Sequence, residues 1–431
     1  MTSQTNPVEL TPSQAAALHL LEESDENIFL TGGPGTGKSF LIRLFLNRQK
    51  EAVPVVASTG AAAILVGGRT FHSFFGLGTE QGSLEALVDR AAGKAQVKKR
   101  LRSIRTLVID EVSMLSQTAL DAAEKVSRRL RHSNLAWGGI RIIAVGDFAQ
   151  LPPISRDKDR AWCFKAAAWK RSAFRRADLT EVKRTEDAEF LAILEEIRWG
   201  RVSERVRAFL DSRVSAAEDV DPNIPHLFPR RLQTEAFNRL RLNELEGEVR
   251  VYPTEYGGSA AFRERLMRDA PVPPMLELKQ GALVMLRIND PRQRFVNGTV
   301  GTVLEMLDDV LYLKVLGRQL EIEAFRFSLL DDEGAEMAYA LNFPVHLAYA
   351  STIHKIQGAT LERVHADLRS LWEPGQAYVA LSRARSAEAV TLVGWHASSI
   401  LADPRVQAFY EGRLEDDTEI LTLEMQDGGA S

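Results

Sequence analysis

Between Asn27 and Val145 short apolar runs alternate with stretches of helical period. Ile28 to Leu30, Val53 to Ala57, Leu107 to Ile109 and Ile142 to Val145 are nearly continuous in hydrophobicity, the pattern of parallel strands buried on both faces. Between Val251 and Glu323 the pattern changes. Leu283-Val284-Met285-Leu286 and Leu311-Tyr312-Leu313-Lys314-Val315 read as strands there, and Asn297-Gly298 as a hairpin turn, which predicts a small antiparallel β unit. The stretch from Asp187 to Leu245 is helical and charged, and α/β character returns from Val345 to Val393. The β unit is therefore predicted to be inserted into a second α/β domain. No sequence repeat is present, and the tail after Leu414 is acidic.

Length and composition narrow the class. At roughly 150 residues per domain, 431 residues suggest about three domains, and 26% charged with 45% hydrophobic residues is ordinary globular composition. Cys163 is the single cysteine, so an internal disulfide and a cysteine metal cluster are excluded. Apolar runs stop short of the ~20 residues that span a bilayer, and the N-terminus lacks a signal-type apolar stretch, so a cytoplasmic protein without membrane partners is expected. A net charge of -4 gives no global sign of a polyanionic partner, and any nucleic-acid surface must be local.

The chemistry lies in motifs. Gly32-Gly33-Pro34-Gly35-Thr36-Gly37-Lys38-Ser39 follows an apolar strand and precedes the helical Phe40 to Arg48, the context of a phosphate-binding loop. Backbone N–H groups and the helix N-terminus face phosphates, Lys38 reaches the β/γ-phosphates and Ser39 holds Mg²⁺. Asp110-Glu111 closes the strand Leu107 to Ile109; Asp110 is assigned to Mg²⁺ and Glu111 to general base for a hydrolytic water. Gln150, in Gly146 to Pro153, projects from the carboxyl edge of the predicted sheet, where its amide can sense a γ-phosphate. In Leu10-Thr11-Pro12-Ser13-Gln14, capping accounts for Thr11 and Pro12 but leaves Gln14, whose amide can read an adenine edge.

Together these motifs resemble superfamily-one helicases of the PIF (petite integration frequency) family, related to RecD, and the resemblance covers nearly the whole chain. Asp121 to Ile140, ending in Trp137-Gly138-Gly139-Ile140, resembles the signature separating PIF proteins from RecD relatives. Thr352 to Gly358 resembles the fifth helicase motif. Gln376 to Arg383 resembles the sixth, with Arg383 as arginine finger, and Leu179 to Thr185 the fourth, with Arg184 as second arginine.

The resemblance implies two RecA-like P-loop NTPase domains with a small inserted β-barrel of Src-homology type. The first would span residues 1–172, the second 173–245 and 341–414, the barrel 246–340 and an acidic tail 415–431. It implies ATP and Mg²⁺ held by Gln14, Gly33, Gly35, Thr36, Gly37, Lys38, Ser39, Phe40, Asp110, Gln357 and Gly358. The implied partner is single-stranded DNA and its junctions, contacted by Thr59, Gly60, Phe71, His72, Ser73, Thr352, His354 and Lys355. A basic run at Lys98-Lys99-Arg100 reads equally as a DNA path or a solvated helix face, and Arg287, Arg292 and Arg294 are candidates to hold the outgoing strand. Residues 78–93 occupy the place of a strand-separating wedge. The implied activity is 5′-to-3′ DNA unwinding by a monomeric motor with at most weak or transient self-association, on nucleoid DNA in a bacterium. The alternatives are a translocase that strips proteins without unwinding, and an RNA remodeller.

Overall fold

The computed structural model describes residues 9–58, 69–78, 82–153, 162–185, 187–216, 224–290, 292, 294–295, 297–330, 336–359 and 361–413. Its first sheet runs Arg69–Thr70, Val55–Ala57, Thr106–Asp110, Arg141–Val145, Ile28–Gly32, Arg175–Leu179, and every neighbouring pair is parallel. The apolar runs expected to be strands are central here, packed between two apolar layers. Because the strands are parallel, the P-loop, Asp110 and the Gly146 segment all leave from one sheet edge, where α/β folds bind ligands.

The Asp121 to Ile140 signature has a structural use. Helix Gln117–Arg131 buries Ala119, Ala122, Ala123 and Val126, and Asp121 accepts the Ala168 backbone N–H at 2.7 Å. Trp137, fully buried at φ +56°, donates its indole N–H to Ser172 Oγ at 2.7 Å. A buried indole needs that acceptor.

The second sheet is also parallel, in the order Ala350–Thr352, His226–Phe228, Val364–Leu368, Val390–Trp395. Between its strands lies the antiparallel unit expected from the sequence. A five-stranded sheet (Arg318–Glu323, Val310–Val315, Val300–Met306, Leu283–Leu286, Val345–Leu347) and a ribbon of Arg250–Pro253 with Met275–Leu278 enclose Tyr252, Leu276, Leu311, Leu313 and Val315. A third sheet pairs Phe325–Leu330, Glu336–Asn342 and Glu255–Gly258. Among the described residues the hydrogen bonding forms three open sheets and does not close a barrel. Asn297-Gly298 is not a two-residue hairpin: Leu283–Leu286 pairs with Val300–Met306, and the connection between them runs from 287 to 299.

Three domain boundaries shift. The first domain gains Arg175–Leu179, which pairs with Ile28–Gly32, because an apolar face at Ala177 and Leu179 completes its core. The insertion gains Val345–Leu347, paired with Leu283–Leu286. Helix Pro404–Tyr410 follows the second domain in sequence but docks on the first, Phe409 stacking on Phe164 at 4.6 Å and meeting Phe29 and Phe148. Asp403 fixes this return by accepting the Trp162 indole N–H at 2.8 Å and the Arg405 backbone N–H at 2.9 Å. The possible wedge region contains helix Leu84–Ala92, whose Leu87, Val88 and Ala91 are buried and which packs on Gln117–Arg131.

Candidate active site

The P-loop is shaped by close approaches from two other segments. A Cβ on Gly35, at φ +81°, would lie 2.5 Å from Cβ of Arg184, and one on Gly37, at φ +92°, would lie 2.6 Å from Nε2 of Gln14. Only glycine fits such contacts at positive φ. Gln14 completes the cap of the first helix together with Thr11 and Pro12. Its Oε1 accepts the Thr11 N–H at 3.1 Å while its Nε2 donates to the Thr36 carbonyl at 2.8 Å, so the amide braces the loop against the first helix. Glu181 holds the same helix start, accepting from Thr11 Oγ1 at 3.1 Å and from Ser13 Oγ; these bonds pull its carboxyl down to about 2.

Lys38 opens helix Lys38–Arg48 and donates Nζ to the carbonyls of Gly32 at 2.6 Å and Gly33 at 3.1 Å. Burial lowers its pKa, opposed by the charges of Asp147, Glu111 and Asp110. Thr36 is buried and donates to Gly33 O at 2.9 Å. Ser39 is exposed at the mouth of the site and Phe40 half-buried.

The acidic pair sits against Lys38. The Glu111 N–H donates to Asp110 Oδ1 at 2.9 Å, and Glu111 adopts φ +52° at the turn after the strand, which aims its carboxylate across the cleft. Burial raises the pKa of Asp110, against the pull of the Glu111 N–H and Lys38. Burial, then the Asp110 charge, raises Glu111 to about 7, and Lys38, Arg383 and Gln357 hold it down. Gln357, from the second domain, donates Nε2 to Glu111 Oε2 at 3.0 Å. Gly358 beside it has φ +79° and open space where a Cβ would point.

Arg184 lines this cleft, and the charge of Arg383 bears on Glu111 from behind it. Arg383 is 1% exposed and is held by Val379 O at 2.8 Å, Ala359 O at 3.3 Å and Ser382 Oγ at 3.0 Å. Burial, then repulsion by Arg184, lowers it to about 9. Arg184 donates Nη1 to Ser382 O at 2.7 Å, and burial lowers it to about 10. Among the described residues no carboxylate is bonded to either guanidinium, an arrangement that an anionic ligand would compensate. A cleft of about 520 Å³ opens beside the loop, lined among others by Pro34, Arg184, Arg198, Tyr378 and Tyr410.

Gln150 is buried and turns its Nε2 toward Asp147 Oδ2 at 3.4 Å. Asp147 belongs to a network that sequence reasoning missed. Arg198, from helix Ala188–Arg198, pairs with Asp147 at 3.0 Å, and Tyr410 donates its hydroxyl to the same carboxylate at 3.2 Å. Tyr410 Oη also lies 2.8 Å from Thr31 Oγ1 and accepts the Phe148 N–H at 3.1 Å. Arg198 stacks over Trp199 at 4.8 Å. Asp147 stood inside a recognised segment; Arg198 and Tyr410 carried no signal beyond a helical setting.

The DNA-contact candidates divide. Thr59 and Gly60 lie outside the described residues. Phe71 is fully buried against Phe75 at 4.8 Å and is core rather than contact surface. His72 and Ser73 are half-buried on the same short helix, with the Ser73 N–H capped by Thr70. Thr352 is buried, its hydroxyl accepting the Lys355 N–H at 3.4 Å; His354 meets Glu373 at 2.9 Å, and Lys355 is exposed. In the basic run Arg100 stacks over Phe74 at 4.9 Å, and nearby Arg102 donates to Leu130 O at 2.9 Å, so both serve packing. Arg287 is buried rather than exposed, and Arg294 pairs with Asp290 at 2.9 Å. No described helix is long and apolar enough to cross a membrane.

The family model described as PIF1-like helicase matches residues 9–208. The ATP-dependent DNA helicase Pif1 of Bdellovibrio bacteriovorus is 48% identical over 94% of this chain and 92% of its own. Among solved structures, Bacteroides sp Pif1 in complex with ADP-AlF4 aligns at a TM-score of 0.82 and 27% identity, over 94% of this chain and 97% of that one. Bacteroides Pif1 bound to ssDNA aligns over the same shares at 0.66 and 27% identity.

Proposed function

The chain belongs to the PIF1-like helicase family, and from that premise we propose that it is an ATP-dependent DNA helicase that tracks along single-stranded DNA 5′ to 3′ and opens duplexes or junctions ahead of it. The observation that carries this reading is the convergence at one interdomain cleft of Lys38, Asp110 and Glu111 from one domain with Gln357 and Arg383 from the other.

ATP phosphates lie along the Gly33 to Ser39 backbone, and Lys38 exchanges its carbonyl partners for phosphate oxygens. Glu111 accepts a proton from the attacking water, and Arg383 and Arg184 offset charge on the transferring phosphoryl group. Gln14 keeps the loop in place and offers an amide beside the base, while Phe40 and Gly358 border the nucleotide. The donor set suits Mg²⁺: the half-buried Asp110, whose pKa burial raises, would be stabilised by a dication, and the Ser39 hydroxyl lies on the same loop. Bound there, the ion would neutralise β/γ-phosphate charge. Closure of the two domains on ATP and reopening after hydrolysis shifts the grip on the strand, with His72, Ser73, Thr352, His354 and Lys355 as the contacts. The enzyme works as a monomer on chromosomal DNA in the bacterial cytoplasm.

The test is ATP turnover with and without single-stranded DNA. Stimulation by single strands, abolished in Lys38→Ala while DNA binding persists, is expected; turnover indifferent to DNA, or unchanged in Lys38→Ala, would overturn the reading.

A further inference from the structure

Arg287 lies just beyond the insertion strand Leu283–Leu286 and is 6% exposed. Its backbone N–H donates to Pro344 O at 2.8 Å. Among the described residues its side chain finds only the Met285 sulfur, 3.8 Å from Nη1, and its Nε has no partner. Burial alone lowers it to about 10. A buried guanidinium without a counter-ion is costly, so its place here calls for a use.

The neighbouring groups are basic as well. His346 stands opposite Met285 in the antiparallel register, hence on the face that Met285 and Arg287 share. Its Nδ1 lies 2.7 Å from the Leu347 carbonyl. A carbonyl only accepts, so Nδ1 carries the proton of the neutral ring and Nε2 is left as a bare acceptor. That Nε2 is buried without a partner. Burial first, then Arg287 and Lys355, pushes the ring down to about 3. Lys355, on the segment that follows Thr352, is itself held low by partial burial and by Arg231 and Arg287, with Glu235 opposing. The structure therefore gathers Arg287, His346 and Lys355 where the insertion meets the second domain, with the Glu235 carboxylate acting on Lys355 and bonded to Arg231 at 2.5 Å.

We propose that Arg287, His346 and Lys355 seat one phosphodiester of the single strand, and that seating it draws a proton from solvent onto Nε2 of His346. The anion supplies the counter-charge that Arg287 lacks, and the imidazolium then donates to a phosphate oxygen. A phosphodiester fits better than a carboxylate ligand because the site adjoins Thr352 to Lys355, the second domain's segment facing the strand. The proposal rests on the DNA reading above and adds a seat on the insertion side, together with proton-linked grip.

Binding of a fluorescent oligo-dT to the full chain tests it between pH 8 and pH 6, over a range of salt. The wild type is expected to bind more tightly as pH falls, approaching tenfold per pH unit for one proton taken up. Arg287→Gln is expected to lose roughly 10- to 100-fold in affinity and about 0.7 of the logarithmic salt slope, the share of one phosphate on a single strand. His346→Phe, checked for folding by its melting temperature, should bind more weakly than the wild type at pH 6 and lose the gain in affinity between pH 8 and pH 6. Wild-type affinity and salt slope in a folded Arg287→Gln would overturn the seat, as would an unaltered pH response in His346→Phe. Protection of His346 by inorganic phosphate at matched ionic strength, with oligo-dT affinity independent of Arg287, would reassign the site to a free anion and overturn the strand assignment. No binding of oligo-dT by the wild type would instead sink the DNA reading itself.

Discussion

Gln357 reaches from the second domain to donate its amide to Glu111 of the first at 3.0 Å. This contact joins the carboxylate proposed as general base to the segment that carries Thr352 and Lys355, so under the proposed function a shift of that segment on DNA would be felt at Glu111.

The pH dependence follows from this bond. Glu111 is raised to about 7, chiefly by burial and then by Asp110, so it is protonated and inactive as a base on the acid side. The value of kcat/KM for ATP should therefore fall as pH drops through about 7, since that ratio reports the free enzyme. The Gln357 amide stabilises the charged form, and its removal in Gln357→Ala should move the acid limb to higher pH by about one pH unit, the equivalent of a hydrogen bond to a charged group worth about 1.5 kcal/mol. A pH–rate profile of the two proteins decides it; superimposable acid limbs would place the base elsewhere.

Arg383→Ala should retain ATP yet lower kcat by about 10³ or more, as for an arginine finger, and Arg383→Lys should not restore it, because an ammonium lacks the planar fork. Arg184→Ala should also weaken ATP binding, since its side chain packs on Gly35. Single-turnover hydrolysis alongside nucleotide binding separates the two; loss of affinity alone in Arg383→Ala would make it a binding residue.

Arg198→Ala strips the counter-ion from Asp147, whose side chain is fully buried. It should cost about 3 kcal/mol or more. Arg205→Ala, which removes an exposed partner of Glu196, should cost under about 1 kcal/mol. Thermal melts of both variants check the contrast, and equal melting temperatures would show that the Asp147 network carries no stability.

Four strands of the first sheet are legible because each, buried on both faces, is a continuous apolar run, and the P-loop because strand, glycines and helix stand in one order. His226–Phe228 is not, being three residues long inside a stretch of helical, charged character, nor is Arg175–Leu179, which carries two arginines and an aspartate. Arg198 was not, for its partner Asp147 is 51 residues away and a helical arginine normally faces water. Likewise Phe71 and His72 share a four-residue helix, too short for periodicity to say which ring turns to the core. The bracing role of Gln14 is hidden because Thr11, Pro12 and Ser13 already look like a complete helix start without it. The return of Pro404–Tyr410 to the first domain was hidden for a similar reason: its apolar residues fit any core until Asp403 and Trp162 are seen to meet.

The most direct measurement is ATP-driven unwinding of a fluorescent duplex bearing either a 5′ or a 3′ single-stranded tail, with Lys38→Ala as the blank. Unwinding from the 5′-tailed duplex, little or none from the 3′-tailed one and none with Lys38→Ala is the predicted result. Single-strand-stimulated ATP hydrolysis without unwinding from either tail would contradict the helicase account and leave a translocase that does not separate strands.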